Sequence, residues 1–144
     1  MKSEVTYIDE LNKFLRGVHM GGTTFKDYLE RAKDATLKEE LKKITESFKK
    51  HEEAITHRIT QIGGNAADSV GVMGMMGEFF EKIKMIPVNT DEEVKEHAIK
   101  AMEMGIKNAN KFLDENKDLE ASLKKDVEGV IKDYDNHLRK LKEV

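Results

Sequence analysis

Residues Leu37 to Ile55 read LKEELKKITESFKKHEEAI. Their apolar members fall at 37, 41, 44, 48 and 55, in steps built from three and four. That spacing draws one stripe along one face of an α-helix. One stripe position breaks the rule, and it holds His51. The figure returns near the C-terminus as Leu123, Val127, Val130, Tyr134 and Leu141, with His137 in the place of His51. Phe48-Lys-Lys-His51 is echoed by Tyr134-Asp-Asn-His137. Two helices therefore carry an aromatic residue and, one turn later, a histidine on the face turned inward.

Upstream of this stretch, a first helix is expected over about 7–32, starting near Thr6 with Asp9 and Glu10 in its first turn, where carboxylates suit the helix dipole. Its seam runs Ile8, Leu11, Leu15, Val18, Phe25 and Leu29, with Gly22 at the middle position and Gly21 before it. Two mid-helix glycines cost roughly 1 kcal/mol each against alanine. Close approach of a neighbouring helix, or a large side chain filling the gap, is the plain explanation, and a kink or a hole for a ligand the functional one. Thr36-Leu-Lys-Glu39 reads as a capping box opening the second helix, 37–62, which Gly63-Gly64 ends.

Downstream, residues 63–90 form a long crossover with glycines at 71, 74 and 77 among methionines, and a short helix is expected around Gly77 to Met85. Thr90-Asp-Glu-Glu93 is a second capping box. It opens a third helix, 91–115, with seam Ile99, Met102, Ile106, Ala109 and Leu113. A turn at Asn116 and Asp118 leads to the fourth helix, 119–142. The first and third helices also match: His19-Met20-Gly21 aligns with Glu103-Met104-Gly105, and Tyr28-Leu29 with Phe112-Leu113. The chain is thus one all-α domain, residues 1–144, of two similar helical hairpins joined by a long crossover. That is the plan of a ferritin-like four-helix bundle.

The 144 residues carry 25 basic and 28 acidic side chains, a net charge of −3. Lysines interleave with carboxylates, as on solvated helix faces, so no nucleic-acid partner is expected. With no cysteine, disulfides, thiolate metal sites and cysteine nucleophiles are excluded, and a cytoplasmic setting is expected. The N-terminus MKSEVTYIDELNK has no apolar run and is not read as a signal peptide. No stretch approaches the ~20 apolar residues of a membrane span.

Di-iron bundles of this plan take one Glu from each of two helices and Glu-x-x-His from each of the others. Residues three apart share a helix face, so both reach a metal on the bundle axis. Here both histidines stand in the corresponding helices, but Phe48 and Tyr134 occupy the Glu positions before them. Gly22 and Ile106 hold the mid-seam positions of the other two helices. All four carboxylates are missing from the pattern.

The chain also resembles a bacterial ferritin-like family of unknown function, related to rubrerythrin and bacterioferritin, with small Gram-positive stress-associated members. The resemblance spans roughly residues 8 to 143. It rests on LNKFLRGVHMGGTTFKDYLE, on LKEELKKITESFKKHEEAI with its Gly-Gly end, on the crossover, and on the last helix with His137. It implies a Glu between the residues matching Gly21 and Thr23, where this chain has Gly22. Bacterioferritin-like proteins bind haem through a methionine at a dimer interface, and no methionine here is singled out by position.

Three functions follow as expectations. The first is a non-catalytic, stress-associated binding or structural protein that lacks a complete di-iron centre. The second is an iron- or zinc-binding protein for iron handling or oxidant defence, with a reduced site on His51 and His137 and a carboxylate from Glu103 or Asp133. The third is an adaptor that docks a protein partner through Met73, Met75 and Met76 of the crossover. A homodimer is expected from the glycines of the first helix and the Met-rich crossover. His57 and His97 are expected to be exposed, and His19 to face the crossover or a second subunit.

Overall fold

The structure, a computed structural model, describes residues 4–68, 78–79, 81–82 and 87–144. Four helices carry the chain: α1 (Glu4–Arg31), α2 (Ala35–Gln61), α3 (Asp91–Glu115) and α4 (Ala121–Glu143). The Met-rich patch at Met73, Met75 and Met76 lies outside the described residues. Of the short helix expected around Gly77 to Met85, residues 78–79 and 81–82 are helical and the rest lie outside the description. No helix among the described residues is long and apolar enough to cross a membrane.

Each helix is amphipathic, and burial of the four apolar stripes makes one core. α1 packs on α2 and α3, and α4 packs on α3 and α2. Leu15, Leu41, Ile44, Ile59, Ala98, Met102, Ala109 and Leu141 are wholly buried. α2 and α4 run antiparallel, because Arg58 meets Ser122 and Asp126 at one end while Glu40 meets His137 near the other.

The chain ends of each helix follow from local chemistry. Thr90 caps α3, its side chain accepting from the Glu93 N–H while Glu93 reaches back to the Thr90 N–H. This is the expected capping box. The α2 start differs. Asp34 is the N-cap, its carboxylate accepting from the Leu37 N–H at 2.9 Å, and Thr36 lies inside the first turn. An aspartate competes well for that position, and the helix starts two residues earlier as a result. α2 stops where Gly63 turns to φ +87°, a conformation that glycine adopts without steric cost.

Two seams are rotated from expectation. In α3 the buried residues are Val94, His97, Ala98, Ala101, Met102, Ala109 and Phe112, so Ile99, Ile106 and Leu113 are only partly buried. In α1 the buried member of the Gly21-Gly22 pair is Gly21, with Phe14 and Tyr28 joining the core. The cause is the same in both. A Cβ on Gly21 would stand 2.4 Å from Phe48 Cε1, and one on Gly105 would stand 3.3 Å from Tyr134 Cε2. The glycine faces turn toward the rings, so the large-side-chain explanation of the mid-helix glycines holds. His97, expected to be exposed, is buried, because the rotation of α3 carries it inward.

The described ends of the crossover are tied to α1. Asn12 donates to the Asn65 carbonyl and accepts from the Ala67 N–H, at 2.9 and 2.7 Å. Further along, Arg31 donates to the Val88 carbonyl at 3.3 Å.

Candidate functional site

The middle of the bundle is built from rings. Phe25 stacks on Phe48 with centroids 5.4 Å apart, Phe48 meets Tyr134 at 5.2 Å, and the His51 ring stands edge-on to Tyr134 at 6.0 Å. Phe48 and Tyr134 stand three residues before His51 and His137, where the Glu-x-x-His pattern has glutamate. Their rings occupy the space that Gly21 and Gly105 leave open. Burial, together with the charges of Glu52 and Asp133, pushes the Tyr134 phenol upward, so it stays neutral. Phe48, Tyr134, Gly21 and Gly105 bring no carboxylate to this layer. Neither ring is a metal-bridging group, and neither glycine bears a side chain.

The two histidines flank this aromatic layer on the α2/α4 seam, and each meets a carboxylate of the opposite helix. His51 Nε2 lies 3.0 Å from Asp133 Oδ2, and Ser47 Oγ lies 3.3 Å from the same nitrogen. His137 Nδ1 faces Glu40 Oε1 at 3.7 Å, too long for a hydrogen bond. Burial lowers both imidazoles below the usual histidine range. Asp133 opposes this at His51, where the charge of His137 adds to it. Glu40 and Asp133 oppose it at His137, where Lys140 adds to it. Arg58 completes the seam, reaching Asp126 Oδ2 at 3.2 Å and Ser122 Oγ at 2.7 Å.

Of the residues expected to form a metal site, the structure brings together His51 and Asp133. His137 sits one turn beyond Asp133 and faces Glu40 at 3.7 Å. Glu103 is exposed on α3 and is not among the groups that act on either histidine. Among the described residues, no three His, Asp or Glu side chains converge so as to hold one ion as they stand.

Two carboxylates were not singled out from sequence. Glu40 is buried. It lies at the second position of Leu37, Glu40, Leu41 and Ile44, an i, i+3, i+4, i+7 stripe that signals an inward face. Glu52 fills the place beside Gly22, where an added Cβ would stand 2.6 Å from its Oε1. Its other oxygen lies 3.2 Å from His19 Nδ1, while His19 Nε2 donates to the Ala67 carbonyl at 2.8 Å. Both ring nitrogens of His19 face oxygens. His19 thus links α1, α2 and the start of the crossover, the first of its two expected placements.

Four buried side-chain atoms among the described residues lack a hydrogen-bond partner: Tyr28 Oη, Glu40 Oε1, His97 Nδ1 and His137 Nδ1. Each helix contributes one. Leaving such a group unpaired costs about 1–3 kcal/mol. Tyr28 and His97 stand edge-on across α1 and α3, with centroids 6.4 Å apart. Glu40 and His137 face each other across α2 and α4.

A family model described as "Domain of unknown function (DUF2383)" matches residues 6–116. No curated protein matches the chain. A solved structure described as ferritin like, diiron-carboxylate proteins from Bacillus anthracis str. Ames superposes with a TM-score of 0.75. It is 18% identical, and the match covers 99% of this chain and 98% of that one. At that identity the likeness establishes the ferritin-like fold.

Proposed function

The chain belongs to the DUF2383 family, and we propose that it is a ferritin-like bundle acting as a binding or structural protein, without a di-iron centre. The observation that carries this reading is the ring layer. Phe48 and Tyr134 meet at 5.2 Å where bridging carboxylates would have to converge. The remaining two positions offer Gly22 and the partly buried Ile106. A dinuclear ferroxidase needs carboxylates to offset the charge of two ions, and at Phe48 and Tyr134 this centre carries aromatic rings instead.

The association with stress rests on resemblance to stress-associated ferritin-like proteins. A homodimer, a cytoplasmic setting and a protein partner at the Met-rich crossover belong to the same proposal. The partner is tested by pull-down with Met73, Met75 and Met76 changed together to polar residues. Unchanged capture would dismiss that docking surface.

The activity test is aerobic oxidation of Fe²⁺ with and without the protein. The reading predicts equal rates. Oxidation that accelerates in proportion to the protein, and slows in a Tyr134→Phe variant, would overturn it.

A further inference from the structure

The geometry points to a mononuclear divalent-metal site on the α2/α4 seam, with Glu40 Oε1 and His137 Nδ1 as the two fixed donors and Asp133 as the third. The ligand class is a borderline transition-metal ion, Zn²⁺ or Fe²⁺, which accepts imidazole together with carboxylate.

Three observations carry the assignment. First, Glu40 Oε1 and His137 Nδ1 are both buried and unpartnered, yet they face each other. A native bundle seldom keeps a donor–acceptor couple apart in this way, and a missing ion is one of the few causes. Second, the separation suits an ion. Zinc sits about 2.0–2.1 Å from each donor, so two ligands of a tetrahedral site lie about 3.4 Å apart. The observed 3.7 Å is near that value, and it is longer than an ordinary hydrogen bond. Third, the surroundings supply the rest. Asp133 is one helical turn before His137, on the same face of α4, and its side chain is 52% exposed, which leaves it free to turn. One of its oxygens already meets His51 Nε2, the kind of support that a ligating carboxylate receives from a neighbour. Glu40 is buried, with only 8% of its side chain exposed.

This ligand set differs from the dinuclear pattern, because Glu40 is no part of that pattern and Phe48 and Tyr134 are not donors. The assignment rests on the reading of the bundle as one without a di-iron centre.

The test is titration of the full chain with Zn²⁺ alone, followed by calorimetry. Wild type is compared with Glu40→Gln, His137→Gln and His51→Gln. Circular dichroism of the metal-free proteins confirms that each variant is folded. The expected result is one ion per chain, with affinity weakened at least about 100-fold by Glu40→Gln and by His137→Gln. His51→Gln, which removes only the partner of Asp133, is expected to weaken binding less than either ligand variant, by about 10- to 100-fold. No binding by the wild type, or one ion retained by both Glu40→Gln and His137→Gln, would overturn this site while leaving the proposed function standing. Two ions per chain would instead overturn the proposed function.

Discussion

Gly21 shows how a single missing side chain organises this core. Its absent Cβ admits the Phe48 ring, whose Cε1 would otherwise lie 2.4 Å away. Gly21→Ala is therefore expected to destabilise the bundle by about 1–3 kcal/mol through overpacking, despite the helix propensity gained. Gly129 is the control. It lies on the exposed side of α4 with nothing within 4 Å of a built Cβ. Gly129→Ala is expected to stabilise by about 0.5–1 kcal/mol. Urea unfolding of the two variants checks both signs, and a stabilising Gly21→Ala would mean that the ring does not fill that space. The sequence held the glycines but not their register, because a stripe of apolar letters cannot show which of two adjacent glycines faces a ring. Phe48 and Tyr134 were legible as inward residues from their spacing. Glu40 had the same inward spacing, but its role was not legible, because the histidine it faces lies 97 positions away at His137.

At the scale of elements, the hairpins are fastened by a few side chains near helix ends. Asp91, the first residue of α3, accepts from the Lys33 and Asp34 N–H groups at 2.7 and 3.1 Å. It holds the turn between α1 and α2 against the start of the second hairpin. Asp91→Ala leaves two N–H groups to solvent and is expected to cost about 1–2 kcal/mol, since each net hydrogen bond contributes about 0.5–1.5 kcal/mol. Asp34→Ala removes the α2 cap, at about 1 kcal/mol. Thr36→Ala, by contrast, is expected to be nearly silent. Thermal unfolding separates these cases, and a larger loss from Thr36→Ala than from Asp34→Ala would reverse the cap assignment. Helix number, the capping box at Thr90 and the Gly63 stop could be read from the sequence because they are local. The Asp91 clasp could not, because it spans 57–58 residues.

The α2/α4 seam carries His51 and His137, and their protonation couples the stability of the bundle to pH. Burial lowers both imidazoles below their usual range, so the folded chain binds fewer protons than the unfolded one in the window beneath about pH 6.5. Their contribution is fully present above that value and is lost as pH falls through the depressed values. The urea midpoint is expected to drop between about pH 7.5 and about pH 5. The drop is expected to be shallower in a His51→Gln/His137→Gln double variant. An equal drop in wild type and double variant would place the pH dependence elsewhere.

The central claim is that rings have replaced the carboxylates at the heart of a ferritin-like bundle. It is tested most directly by iron content per chain after anaerobic loading with Fe²⁺ and removal of free metal. The account predicts no more than one iron per chain, since Phe48 and Tyr134 leave no place for a bridged pair. Two tightly held irons per chain would contradict it and would mean that carboxylates outside the ring layer assemble a centre of their own.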